Sequence, residues 1–548
     1  MNTTNPSAGV YVNERDLSER IANASTTIGA IVGPSQKGPV MERTLVTSVK
    51  QFLEIFGKPT PQTSQMHYHA VQFLNESSRL YVTRVIAPDT LTAGAYLSVD
   101  DLSSPSPILK LNNFDDGTNQ PLGKYDPFNT LGFDPTAPGI EKVLGFFCAA
   151  NPGTWNNEIF IRVRPSTKSG VDAPDDPYLF YVDVFLNYRS RRQAPDESFL
   201  VCRDYMVDGF GEQLQIEEVI NRKSNIIRYR PNESAPIKVK ILNVATEYLD
   251  GATNGSRPAD GLMVQGWELY TDPERVDVNI LIQGGYDSIN VQQTMTTIAE
   301  DRMDAIAVLD LPRNMQEVSD AVYFRRNDLN LDTSYAALYG PDLLVYDEYN
   351  DRELYVAPSG YVAAVMARTD NVAETWFAPA GLERGILRIR GVRHVYNQGD
   401  RDALVEAQIN PIRRFPKLSA YVVWGADTLQ VMPSALTNVN VRRLLNFVEK
   451  SIQLAAIYKT FEPNDEILWS RLTEMCERFL KPIRAGRGVY WYDVVCDESN
   501  NPPSIQASGD TMLDIYVDPV IPAKRIHLRA TVTRRGASFT AEALDTSN

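Results

Sequence analysis

Apolar positions change their period several times along the 548 residues. Near the N-terminus Gly9-Val10-Tyr11-Val12 alternates, and Thr26 to Val32 is a continuous apolar run that stops at Gly33-Pro34, the pattern of a buried strand entering a turn. Thr47 to Phe56 and Ser64 to Leu74 adopt helical spacing, and Arg79 to Ile86 returns to strand, so the first 87 residues predict mixed β and α structure. From about residue 96 to 275 short strands such as Ile159 to Val163 and Leu179 to Leu186 are separated by turns rich in Pro and Asp, which predicts a β-rich insertion. From residue 276 the alternation resumes. Val291 to Met303 reads as helix, Ala305 to Leu309 as strand and Ser359 to Arg368 as a helix of small residues, an α/β organisation. Asn440 to Lys459 predicts a helix with Val441, Leu444, Leu445, Val448 and Ile452 on one face. Asn464 to Lys481 predicts another, capped by Asn464 or Asp465, with Ile467, Leu468, Leu472, Met475, Phe479 and Ile483 as its buried stripe. At the end of the chain Ile526, Leu528, Ala530 and Val532 fall on one face of an alternating, half-buried strand.

Length predicts about three or four domains at roughly 150 residues each. Lys+Arg of 54 against Asp+Glu of 69 gives a net charge of −15, so the molecule repels phosphate backbones and anionic lipid surfaces and bulk nucleic acid is disfavoured as a partner. Residues 96 to 275 hold 18 basic and 26 acidic side chains, net −8, which suits an exposed, solvated domain. The segment Met1 to Pro6 has neither a basic nor an apolar region, and the longest apolar run, Tyr361 to Ala367, falls far short of the ~20 residues of a membrane span. Neither a cleaved signal nor membrane insertion is therefore expected. Cys148, Cys202, Cys476 and Cys496 match no zinc or redox spacing and read as buried thiols.

Candidate chemistry is sparse. The loop Gly33 to Pro39 contains Gly, Ser and Lys, but Lys37 precedes Gly38 and Pro39 follows it, the wrong order for a phosphate-binding loop. His67 and His69 would converge on a strand, whereas in the helix their neighbours predict they diverge by about 200°. Neither an HExxH pattern nor a cysteine cluster supports a metal there. The acidic run Asp342, Asp347, Glu348, Asp351 and Glu353 lacks the glycine and the twelfth-position Glu of a calcium loop and reads as a solvated loop or salt-bridge surface. No nucleophile elbow occurs, and paired carboxylates are too common here to identify a glycosidase. No cofactor or metal is expected. The alternating segments at the two ends remain as candidates for strand donation to another chain, with pairing inside their own subunit as the alternative.

Several motifs in order resemble one family. Gly9-Val10-Tyr11-Val12-Asn13-Glu14, Thr27 to Gly33 with Lys37-Gly38-Pro39, and Phe52 to Gly57 are similar to the N-terminal signature of contractile tail sheath proteins of bacteriophages and related injection particles. Pro358 to Ala363 with Ala367-Arg368-Thr369-Asp370, Trp376 to Ala380, Phe461 to Asp465 with Trp469, and Asn500 to Pro503 resemble later parts of the same family. The likeness covers roughly 1 to 95 and 276 to 548. Two positions depart from it: no further Gly follows Pro358-Ser359-Gly360 among the small residues, and Lys524 stands where Glu is expected.

The resemblance implies an α/β, mixed α+β multidomain fold. Its parts are an N-terminal linking arm (1–20), a discontinuous sheath core (21–95 and 276–415), outward β-rich inserted domains (96–275), a tube-proximal C-terminal domain (416–520) and a C-terminal linking arm (521–548). It implies that Gly9, Val10, Tyr11 and Val12, with Ile526, Leu528, Ala530 and Val532, add strands to neighbouring subunits. Hexameric rings would then stack in a helix around a tail tube protein, with baseplate and tail terminator proteins as further partners and no direct nucleic acid contact. The expected function is a metastable contractile sheath of the virion, assembled in the host cytoplasm, that drives the tube through the host envelope for genome ejection. A static tube or shell component is the alternative, and a carbohydrate-active enzyme rests on carboxylates alone. The polar face of the helix Asn464 to Lys481 supplies the expected tube contacts Arg471, Arg478, Lys481 and Arg484. Solvated intrahelical pairs Glu474/Arg478 and Glu477/Lys481 are the alternative there. The basic run Arg384, Arg388, Arg390, Arg393, Arg401, Arg413, Arg414 and Lys417 would meet acidic neighbours between rings or carry no specific role.

Overall fold

The computed structural model describes residues 24–61, 63–101, 107–113, 142–166, 178–207, 211–233 and 235–528. The segment Gly9 to Val12, Ala530 and Val532 lie outside the described residues.

Nine strands form the central sheet: β1 (Gly29–Gly33), β2 (Arg43–Val46), β3 (Leu80–Arg84), β4 (Ile280–Ile282), β5 (Ile306–Asp310), β6 (Ala336–Gly340), β7 (Ile386–Leu387), β8 (Ile409–Phe415) and β9 (Ala420–Val423). Their order is β7-β9-β8-β6-β5-β4-β1-β3-β2. The inner run from β8 to β3 is parallel, while β2 at one edge and β9 and β7 at the other are antiparallel. Every residue of β1, β4, β5 and β6 is buried, which is why these strands read as unbroken apolar runs. Gly29 of β1 sits opposite Ile280 of β4, so a single sheet is completed across the whole insertion.

Helices cover both faces. One layer packs Phe73, Met66, Val362 and Met366, from the helices Ser64–Leu74 and Ser359–Val372, against Ile31, Ile282 and Val308. The other packs Trp267, Met295 and Ile298, from the helices Asp260–Glu268 and Ile289–Arg302, against Ala30, Leu281 and Ala307. The helix Asp260–Glu268 falls within the stretch read as insertion, yet its packing belongs to the core. Ser64–Leu74 and Ser359–Val372 cross closely at Gly360, where an added Cβ would lie 2.5 Å from the Cβ of His69. That crossing explains the small-residue composition of the second helix.

The insertion builds two antiparallel four-stranded sheets around one apolar cluster. One orders Ile227–Pro231, Val143–Ala149, Gly94–Val99 and Leu109–Asn113; the other orders Ala245–Tyr248, Ile159–Pro165, Phe180–Leu186 and Glu197–Val201. Asp183, buried in the second, is held by Arg162, Arg164 and Ser198.

A fourth apolar cluster is separate. It begins at Leu444 and is built by the helices Val439–Ala456 and Glu466–Ala485 and by an antiparallel ribbon of Val489–Val495 and Asp514–Pro519. The strand β9 just before it still belongs to the central sheet.

Candidate functional site

The side chains weighed for small-molecule chemistry lie in the core or in local pairs. His67 and His69 both lie in the helix Ser64–Leu74 and are buried. Burial holds His69 down to about 3 and His67 to about 4, the latter against the pull of Asp347. Both are neutral core rings: His69 Nε2 meets the Ala357 carbonyl at 2.7 Å, and His67 packs on Phe52, Tyr68 and Tyr349. The described residues contain no group of three His, Cys, Asp or Glu side chains placed to hold a metal. The acidic run is absorbed locally, with Asp347 accepting from Tyr68 and Asn350, Asp342 facing Arg313 and Arg393, and Glu353 facing Arg390. Those contacts also take up part of the basic run. Arg413 lies over Phe415 and Trp424. All four cysteines are buried, and burial, with Cys496 beside it, pushes Cys476 up to about 12. No helix of the described residues is long and apolar enough to cross a membrane.

What remains is surface built for other chains, and it gathers on the C-terminal unit. Asp465 caps the helix Glu466–Ala485 by accepting from the Leu468 amide at 2.9 Å, and Asn464 accepts from the Trp469 indole at 2.8 Å. These two bonds fix where the helix starts. Its end runs four residues beyond the expected Lys481, through Pro482. A proline deprives one carbonyl of its helical donor, and Pro482 lies on the exposed side of the helix. Leu468, Trp469, Leu472, Met475, Cys476, Phe479, Leu480 and Ile483 are buried. Ile467 is 61% exposed, which corrects its place in the expected stripe. At about 100° per residue it stands about 140° round the helix from Leu472, and the stripe widens instead toward Trp469, Cys476 and Leu480.

Arg471, Arg478, Lys481 and Arg484 are all exposed on the side opposite that stripe. Arg478 pairs with Glu474, as the solvated-helix alternative expects, but Glu477 and Lys481 form no ion pair. The remaining cations of this face are therefore not neutralised along the helix.

The ribbon Val489–Val495 with Asp514–Pro519 was not foreseen. Its inner side rests on the helix through Val489, Val494 and Val517, while Tyr490, Trp491 and Tyr516 are exposed. Among the described residues no third strand joins either edge. Two-stranded ribbons are marginal by themselves, and an open edge is a row of unpaired N–H and C=O groups. The run of aromatic and β-branched residues in Val489 to Val495 and the alternation of Asp514-Ile515-Tyr516-Val517 were the available signal.

The first described residue lies against this unit. The Ala24 amide donates to Ser451 on the helix Val439–Ala456. After Pro519, residues 521–528 follow no strand; Ile526 and Leu528 are 90% and 93% exposed. Residues 521–528 thus add no strand to a sheet of the described residues. Lys524, which replaces an expected Glu, finds its partner in Asp427.

A sheet completed from distant segments, a ribbon that no third strand joins among the described residues, and residues 521–528 lying outside any strand are features of a structural protein rather than of a catalyst. Residues 264–429 match the phage tail sheath protein central domain and residues 432–533 the phage tail sheath C-terminal domain. The chain is 24% identical to the tail sheath protein of Enterobacteria phage T4 over 97% of this chain and 98% of that one. It is 32% identical to the tail sheath protein of Vibrio phage KVP40 over 53% of this chain and 47% of that one. The fold is shared with the sheath tail protein of Listeria innocua, with a TM-score of 0.57, 11% identity and coverage of 92% and 94%. It is also shared with the sheath of an extracellular contractile injection system in its contracted state, with a TM-score of 0.50, 16% identity and coverage of 97% and 98%. The chain belongs to the phage tail sheath family: it is a structural protein of the virion tail and not an enzyme.

Proposed function

We propose that this chain polymerises through exchanged terminal arms into an extended, metastable sheath of stacked hexameric rings around a tail tube, and contracts to drive that tube through the host envelope for genome ejection. The observation that supports this reading is the two-stranded ribbon, which no third strand joins at either edge among the described residues. One edge takes a strand from an N-terminal arm containing Gly9, Val10, Tyr11 and Val12. The other takes one from a C-terminal arm containing Ile526, Leu528, Ala530 and Val532. Because a donor and an acceptor are different surfaces, the contact is heterologous, and a heterologous contact that does not close on itself gives a helical tube.

Contraction then needs no nucleotide. The extended lattice is held by contacts that differ from those of the shorter lattice, and release lets the subunits repack while the arms keep them joined. The tube must be held and then let go, which suits exposed, screened charge better than a buried apolar interface. Arg471, Arg478, Lys481 and Arg484 supply that face. The baseplate and a tail terminator bound the two ends of the assembly.

Negative-stain electron microscopy of the full chain, beside a variant lacking residues 1–20, tests the reading. Wide hollow tubes from the full chain and only loose rings or monomers from the variant are expected. Tubes of equal length and order from both would refute arm exchange.

A further inference from the structure

Arg84, the last residue of β3, is 2% exposed and turns its guanidinium to main-chain oxygens alone. Nε donates to Ser35 at 3.1 Å, Nη1 to Gly38 at 2.9 Å, and Nη2 to Gln36 at 3.4 Å and Pro152 at 2.7 Å. Four of its five N–H groups are used, and one on Nη1 has no acceptor among the described residues. Carbonyl dipoles satisfy hydrogens but leave a whole positive charge inside the protein. Several other buried cations are paired with acids, Arg302 with Asp304 and Arg443 with Asp370, while buried Arg325, like Arg84, turns to a main-chain oxygen, the Leu429 carbonyl, with no ion pair among the described residues. Burial pushes Arg84 down to about 9, with no neighbouring acid set against it. A buried charge is normally paired.

Room for a counter-ion lies alongside. Arg84 lines a cavity of about 210 Å³ whose other polar lining is Ser35, Thr60, Thr63, Asn254, Ser256 and Arg257, without a carboxylate. Acids near this wall are already engaged, since Asp89 accepts from the amide and hydroxyl of Ser256 and Asp287 accepts from Arg257. Asn254 spends its side-chain oxygen on the amide and hydroxyl of Thr154, which leaves its Nδ2 hydrogens to donate. The turn that carries it depends on Gly255, at φ +66° and with Thr90 Oγ1 only 2.6 Å from an added Cβ.

We propose that this cavity binds a small oxyanion of the phosphate or carboxylate class, with Arg84 as its cation and Asn254 as a second donor. Because Arg84 also joins the carbonyls of the 35–38 loop in the core to Pro152 of the insertion, the bound anion reinforces the junction between the two.

Calorimetric titration of the full chain with inorganic phosphate, and separately with acetate, at ionic strength held constant with chloride, tests the site. Saturable one-to-one binding of at least one anion, with a raised unfolding midpoint, is expected. Phosphate alone identifies a free oxyanion, and binding of acetate identifies a carboxylate. Asn254→Asp keeps the oxygen that Thr154 needs and adds a negative charge to the lining, so it should weaken binding about tenfold or more, about 1.4 kcal/mol, and raise the midpoint without added anion. Arg84→Gln should abolish binding; if that variant fails to fold, Asn254→Asp decides. No saturable binding of either anion, or equal binding by wild type and Asn254→Asp, which means an adventitious ion only, would overturn the proposal.

Discussion

Arg443 on the helix Val439–Ala456 grips both carboxylate oxygens of Asp370 on the helix Ser359–Val372, at 3.0 and 2.6 Å, with both side chains buried. The same face of the first helix donates from Asn446 to the Ala305 carbonyl, from Asn440 to the Trp376 carbonyl, and from Lys450 to Asp277 and Asp304. Its opposite face supplies Leu444, Val448 and Ile452 to the C-terminal cluster. One helix therefore belongs to two bodies, joined to the core by charge and amides and to the C-terminal unit by apolar packing. Breaking one side of a buried pair strands the other charge, so Asp370→Ala should cost about 3–5 kcal/mol of stability. Arg443→Met with Asp370→Leu should recover part of that loss. Urea unfolding checks both, and a single-variant loss below about 1 kcal/mol would show the seam is not held by this pair.

At the crossing of the two core helices, Gly360 faces His69 with no room for a methyl group. The nearest atoms are the Cα and Cβ of His69, which cannot swing aside as the end of a long side chain could. Gly360→Ala should cost about 1–3 kcal/mol by overpacking. A neutral result in urea unfolding would mean the helices separate freely.

The buried rings set an acid dependence. A histidine whose folded value lies below its unfolded value binds its proton more readily in the unfolded chain, so stability is present above the unfolded value of about 6.5 and is lost as pH falls toward the folded one. For His69 that window runs from about 6.5 down to about 3, and for His67 down to about 4. Asp310 acts with the opposite sign: burial raises it to about 7, so its protonation favours the folded state as pH falls. The two trends partly offset in the whole protein, and a comparison with His69→Gln isolates the histidine. Going from pH 7 to pH 5 the wild type should lose about 2 kcal/mol relative to that variant. Parallel pH profiles for the two proteins would contradict a neutral, buried His69.

The central sheet was legible because fully buried parallel strands leave continuous apolar runs, as in Thr26 to Val32 and Ala305 to Leu309. The helices Ser64–Leu74 and Glu466–Ala485 were legible from their stripes and, for the second, its cap. Packing that depends on distant chain was not. The helix Asp260–Glu268 follows the turn-rich insertion with nothing local to mark its return to the core, and Ile467 looks like a stripe residue until the angle of the stripe is set by what covers it. Nothing local marks Arg443 as one half of a buried pair, because its partner lies 73 residues away. The open ribbon was not legible from the aromatic run Tyr490-Trp491-Tyr492, since only the topology shows that no third strand joins it among the described residues.

The basic face of the helix Glu466–Ala485 yields the test that separates tube attachment from self-assembly. Arg471, Arg478, Lys481 and Arg484 are exposed and lie away from the apolar stripe, so reversing their charge leaves the C-terminal cluster intact. Exposed ion pairs contribute about 0.2–1 kcal/mol each and weaken with salt, so one reversal should barely register while four act together. Arg471→Glu, Arg478→Glu, Lys481→Glu and Arg484→Glu combined should leave the melting temperature within a few degrees and sheath polymers still visible by electron microscopy. Co-sedimentation with purified tail tubes should be lost, and for wild type it should decline as salt rises above physiological strength. If the fourfold variant still binds tubes as wild type does, the tube contact lies elsewhere on the subunit. If instead it fails to polymerise at all, these side chains serve contacts between sheath subunits and the assignment to the tube is wrong.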